Sequence, residues 1–298
     1  MTDLHHVASG SGWFPLSLTL TIVFAALVYL RGWLRLRSTS SNAISAWRAG
    51  SFLAGLFLIW ITLASAIAAY DHELLTVHMI QHLLLMTLAP PLIWLGEPVL
   101  PFLQGLPRPF VHAVIGLLFR WQPVQELGRI LAQPAFCWLA AFAALVVWHT
   151  PAAFMLGLQS EGWHILEQAS FLATGLLFWW PVLQPWPSIS KPDLSIILYL
   201  FLATLPCDIL SGLLVFGDRV VYPVYFSSSR PFGLSALADQ QCAGALMWTC
   251  VTIVYLVTGT ILTARLLSPE SSGEHELVRS PSRGGAAPQR APQGLEVL

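Results

Sequence analysis

The chain has 298 residues, of which 56% are hydrophobic and 10% charged, about 2.5-fold fewer charges than a soluble domain carries. A mean hydropathy of +0.68 points to a polytopic membrane protein, and a net charge of −1 leaves no basic patch for nucleic acid. Four cysteines, Cys137, Cys207, Cys242 and Cys250, form no CxxC pair and argue against a disulfide scaffold.

Residues 1–12 contain no Lys or Arg, so they lack the positive segment of a secretory leader, and the first apolar run reads as a retained span. Seven runs have the length that a helix needs to cross the hydrocarbon. They are Trp13–Gly32, Gly50–Ala69, Leu74–Leu95, Pro134–Thr150, Trp163–Leu183, Leu194–Phe216 and Leu237–Leu262. The fourth is short, and Pro151 ends or kinks it. Phe110–Phe119, between Arg108 and Arg120, is too short to span and reads as an interfacial helix.

Basic residues set the orientation. With the N-terminus outside, Arg31, Arg35, Arg37, Arg48, Arg108, Arg120, Arg129, Lys191, Arg265, Arg279, Arg283 and Arg290 fall inside. Only Arg219 and Arg230 fall outside. The expected fold is thus all-α, with seven transmembrane helices, the N-terminus outside and the C-terminus cytoplasmic. Residues 1–267 form the transmembrane domain, and 268–298, rich in Ser, Pro, Gly and Arg, form a disordered cytoplasmic tail.

The third run carries His78 and His82, four residues apart and therefore on one helix face, with Met86 one turn further on. Ionisable groups inside a span are costly and mark functional interiors. Under the expected topology His78 and His82 lie in the outer half of their span. His149 ends the fourth run, His164, Glu167 and Gln168 open the fifth, and Asp239 opens the seventh. Asp208 is eight residues from the outer end of the sixth, roughly 12 Å deep, close to the depth of His82. Pro206, just before Cys207 and Asp208, is expected to kink that helix.

Imidazole, thiolate and thioether suit copper, and imidazole with carboxylate also suits zinc or iron. The expected metal-ligating set is His78, His82, His149, His164, Glu167, Asp208 and Asp239. Each has a plainer reading. A lone embedded His can bond a neighbouring helix, and methionines and cysteines can be packing residues. Asp71, His72 and Glu73 read as a solvated turn.

Several pieces in order resemble one family. They are His78-Met79-Ile80-Gln81-His82 with Pro90-Pro91, Gly96-Glu97-Pro98, Trp148-His149-Thr150-Pro151, His164 with Glu167, and Phe178-Trp179-Trp180-Pro181. They continue through Asp208 with Gly212, Tyr222-Pro223-Val224-Tyr225, Gly233-Leu234-Ser235 and Asp239-Gln240-Gln241, ending at Ala243-Gly244 and Met247-Trp248. Over residues 70–250 the chain resembles the CtaG family of membrane-integral cytochrome c oxidase assembly factors, associated with caa-type oxidases. The resemblance implies a seven-span assembly factor in the bacterial plasma membrane. Its partners would be oxidase subunits and a copper chaperone outside the membrane, with copper as the species handled. The pattern departs at Gln168, where the family has His, so a four-histidine site is not carried over.

Two other classes stay open: a haem or quinone electron carrier, which a Soret band would select, and a proton or ion pathway, which reconstituted flux would select. The sole lysine, Lys191, lies in a loop, which excludes a retinal Schiff base. No nucleophile–base pair or phosphate loop is present, so the chain does not read as an enzyme.

Overall fold

The computed structural model describes residues 13–39, 45–65, 70–183, 194–227 and 233–267. The expected tail 268–298, the loop with Lys191, residues 1–12 and the last four residues of the second expected span lie outside the described residues. Among the described residues the regular elements are helices, as lipid demands of a backbone that has no water to bond. In chain order these are α1 (Trp13–Thr39), α2 (Ala46–Ala64), α3 (Leu75–Leu83), α4 (Ala89–Leu95), α5 (Val99–Gly105), α6 (Arg108–Phe110) and α7 (Gly116–Arg120). They continue with α8 (Gln122–Leu131), α9 (Pro134–Trp148), α10 (Pro151–Gln159), α11 (Glu161–Leu183), α12 (Leu194–Phe216) and α13 (Ala236–Leu267).

Five helical stretches are long and apolar enough to cross a membrane: Phe14–Ser38, Ala46–Ala64, Leu75–Leu95, Leu194–Phe216 and Ala236–Leu267. A sixth is obtained if α8 and α9, bent by 71°, count as one span. The expected fourth span is a 15-residue helix, about 22 Å long and short of the ~30 Å hydrocarbon core. The expected fifth coincides with α11, whose 23 residues suffice in length. His164, Glu167 and Gln168 in its first turns keep its mean hydropathy below that of the other spans. The apolar patch between Arg108 and Arg120 is helical, with a wider π turn at Val111–Ile115.

Leu75–Leu95 is the central helix: half of its apolar window is buried, against 11% for α1. The reason is sequence-local. A π turn at Leu84–Leu88 joins α3 to α4, immediately before Pro90. Proline lacks an N–H and its ring crowds the carbonyl four residues back, here that of Met86. The Trp179 indole N–H of α11 donates to that carbonyl at 3.1 Å. Gly175 permits the approach, since a Cβ there would lie 2.8 Å from Met86 Cα. The bulge thus docks α11 onto the central helix, and π bulges concentrate at functional sites. At the other end of α4, Tyr29 O–H donates to Gly96 O at 2.8 Å, and Arg48 pairs with Glu97.

The main core joins Leu75, Met79, Phe178, Trp179, Tyr199 and Tyr255 across α3, α11, α12 and α13. Leu20, Phe24, Phe201, Leu213 and Leu256 point outward and are mostly exposed, the arrangement expected of helices solvated by lipid.

Candidate metal centre

Helix α3 begins without a side-chain cap of its own. The cap comes from Asp239 in α13, whose carboxylate accepts from the backbone N–H of Leu75 (2.7 Å) and of Thr76 (3.1 Å). The Thr76 hydroxyl adds a bond to Asp239 Oδ1 at 2.6 Å. These bonds occupy Asp239, one of the expected ligands, in holding α3 at its start. Asp239→Ala would leave two backbone donors without that partner, at a cost of about 3 kcal/mol. The check is the unfolding free energy of the variant in detergent; an unchanged value would rule out this anchoring role.

One turn beyond that anchor, His78 and His82 are buried. His78 packs on Phe154, ring centroids 4.9 Å apart, and His82 on Phe171 at 4.1 Å. Glu167, fully buried in α11, places Oε1 3.4 Å from both Nε2 atoms. That is longer than a good hydrogen bond. None of the four imidazole nitrogens or two carboxylate oxygens has a hydrogen-bond partner. Six unpartnered polar atoms on three adjoining buried residues carry a heavy desolvation cost, and one atom of each residue converges on a common point.

A metal ion between them would account for both observations, and these residues could hold one. Donors at about 2.0–2.1 Å from one ion, roughly 109–120° apart, are separated by about 3.3–3.5 Å, the spacing of each Nε2 from Glu167 Oε1. The carboxylate fits because Gly157 of α10 carries no Cβ; one built there would lie 2.6 Å from Glu167 Oε2.

His149 lies beside this trio, its ring centroid 5.7 Å from that of His82. Its Nδ1 is 2.8 Å from the carbonyl of Leu145, an acceptor, which fixes the proton on Nδ1 and leaves a lone pair on Nε2. That Nε2 is 3.3 Å from Met79 Sδ. A cavity of about 40 Å³ adjoins His82 and His149 and is lined also by Met86, Cys207 and Met247. Cys207, not Asp208, takes the inward position on α12. Successive helical residues differ by about 100°, so a residue at matching depth need not share the azimuth. Asp208 is half-buried, with Oδ1 enclosed and unpartnered, and lies outside the His78–His82–Glu167 group.

His164 stands one turn before Glu167, its ring stacked 5.9 Å from that of His78. Its Nε2 is 3.3 Å from Asp71 Oδ2. Asp71 is buried, not solvated, because Tyr225 O–H donates to its carbonyl at 2.9 Å and encloses the turn. Tyr222 likewise donates to the carbonyl of His149 at 2.9 Å. Burial, reinforced by nearby carboxylates, pushes both phenols well above their ordinary range, so both act as donors. Gln168 donates through Nε2 to Gln81 Oε1 (2.9 Å) and contacts His164 Nε2 (3.0 Å), so it serves as a positioning group here.

The structure therefore gathers His78, His82 and Glu167 into one point, sets His149 and His164 against it, and leaves Asp208 and Asp239 apart. Asp71 and His72 stood in the sequence only as part of a solvated turn, and Gly157 was not singled out. The adjacency of an acid and a His before the His78 helix was the available signal for the first two.

A family model described as cytochrome c oxidase caa3 assembly factor matches residues 27–268. An uncharacterized protein of Mycobacterium bovis and one of Mycobacterium tuberculosis are each 26% identical over 247 residues, covering 79% of this chain and 37% of theirs. One of Mycobacterium leprae is 25% identical over 263 residues, covering 82% of this chain and 38% of its own. The chain thus spans less than two-fifths of the curated relatives it matches. No solved structure matches. With more than three-quarters of its length under that model, and the buried histidines and Glu167 inside the matched region, the chain belongs to the cytochrome c oxidase caa3 assembly factor family.

Proposed function

We propose that this chain carries copper for a haem-copper oxidase, holding the ion on His78, His82 and Glu167 before it passes to the oxidase. Three buried, unpartnered donor atoms, the Nε2 atoms of His78 and His82 each 3.4 Å from Glu167 Oε1, carry this reading. Copper is its cargo, taken as Cu(I). Two neutral imidazoles and one carboxylate neutralise a monovalent ion, and a buried complex of zero net charge is the least costly. Met86, Met247 and Cys207 around the adjoining cavity, and Met79 against His149, are soft donors of the kind that select Cu(I). A porphyrin would need far more room than the 40 Å³ beside His82.

The role is delivery without catalysis, with oxidase subunits as partners and a copper chaperone outside the bacterial plasma membrane as donor. Glu167→Gln keeps the shape and removes the charge. Purified chain carrying it should retain Cu(I) at least about 10-fold more weakly, read by competition with a chromophoric chelator; equal retention would sink the carboxylate's role.

The reading includes seven spans with the N-terminus outside and the tail cytoplasmic, supported by the twelve basic residues on the expected inner side. It counts α9 and α11 as spans and leaves α8, with Arg129, on the inner side. Reporters active only outside the membrane should then work when fused after Gln159 and fail after Ser271. The reverse pattern would invert the direction of delivery.

A further inference from the structure

Asp71, His72 and His164 form a second group whose donor atoms lie within 4.8 Å of one another. Its distances are 3.3 Å from His164 Nε2 to Asp71 Oδ2 and 3.6 Å from His72 Nε2 to Asp71 Oδ1. The group differs from the first in its access. His72 is half exposed, and a cavity of about 530 Å³ reaches Asp71, His72 and His164, walled by Thr62, Leu63 and Ile165.

Two independent observations point to a cation here. First, Asp71 is buried, yet its Oδ1 has no hydrogen-bond partner. Second, the amide chain behind His164 fixes where its proton sits. The Thr62 carbonyl only accepts, and Gln81 Nε2 donates to it at 3.4 Å. Gln81 Oε1 therefore faces Gln168 Nε2 as acceptor, at 2.9 Å. The other N–H of Gln168 donates to His164 Nε2 at 3.0 Å, so that nitrogen is unprotonated and donates nothing to Asp71, whose Oδ2 lies 3.3 Å away. A cation seated between the two would take the lone pair over from the Gln168 amide.

We propose that Asp71, His72 and His164 are an entry site for copper(I), loaded through this cavity and handing the ion to His78, His82 and Glu167. The inference rests on the buried group being the copper site. Both groups offer two imidazoles and one carboxylate, so the ion can exchange one ligand at a time with no change of charge or oxidation state. His164 is the hinge of that exchange, since its ring lies against His78 at 5.9 Å.

The test uses the full chain in detergent, without oxygen, titrated with Cu(I) buffered by a chromophoric chelator, with stopped-flow uptake recorded in parallel. Wild type should bind two ions. His72→Ala, a change at an exposed position, and the isosteric Asp71→Asn should each leave one ion of unchanged affinity. Uptake of that ion should slow at least about 10-fold. If both variants bind two ions, or if uptake keeps its wild-type rate, the entry site is refuted. A single wild-type ion lost only in His78→Ala or Glu167→Gln would also refute it while upholding the buried site. If His78→Ala and Glu167→Gln lose nothing while the Asp71 and His72 variants do, the buried site fails and the entry group stands alone as the binding site.

Discussion

Replacing His78 or His82 with Ala should leave the chain inserted and folded, while oxidase in the same cells loses activity at limiting copper. Removing one of three ligands should weaken copper binding by at least about 100-fold, beyond the 10–100-fold that loss of a ligand's supporting group costs. Stability should change little. Each His contributes nitrogens without hydrogen bonds at the centre of the fold, so its loss removes an unpaired polar group along with the ring packing on Phe154 or Phe171. Alanine also enters a membrane helix more easily than histidine. Excess copper in the medium should partly restore the oxidase by mass action. The measurement is oxidase activity against copper concentration at matched protein level. Normal activity of both variants at limiting copper would make the pair mere helix-packing polar groups.

Gly157→Ala should separate function from stability more sharply. Alanine in a helix is favoured over glycine by about 1 kcal/mol, so the isolated α10 would gain. Its methyl, however, would lie 2.6 Å from Glu167 Oε2 and 3.4 Å from Cδ, and the carboxylate must move away from His78 and His82. The expected variant is as stable as wild type and binds copper about 100-fold more weakly, since ligand geometry tolerates only a few tenths of an ångström. Shortening the acid should compensate. Adding Glu167→Asp to Gly157→Ala should recover part of the affinity that either change alone loses, a coupling that a double-mutant cycle reads directly. If the two losses simply add, the methyl is not acting through the carboxylate.

The sequence showed the helical class and the central place of the His78–His82 helix, and it put Glu167 among the expected ligands while matching that helix in depth with Asp208. Those features follow from periodicity and from the cost of ionisable groups in a span, both of which are local. What sequence spacing could not convey was azimuth. Asp208 matches His82 in depth, yet Cys207 faces the cavity, because one residue along a helix turns the side chain by about 100°. Asp239 looked like a ligand because it is acidic at a span's start; its partners are the amides of Leu75 and Thr76, 164 and 163 positions away. Asp71 looked solvated because it stands among charged neighbours, and Tyr225, 154 residues on, covers it. Gly157 carried no signal, since what requires it is the carboxylate of another helix.

X-ray absorption of the copper-loaded, detergent-purified chain bears most directly on the central claim. With Asp71→Asn and His72→Ala in place to confine copper to the buried group, wild-type His78, His82 and Glu167 should give two imidazole nitrogens and one oxygen at about 2.0 Å. Replacing His82 with Ala in that background should remove one imidazole from the shell. A shell with no imidazole, or one unchanged by loss of His82, would contradict the assignment of His78, His82 and Glu167 as the copper site.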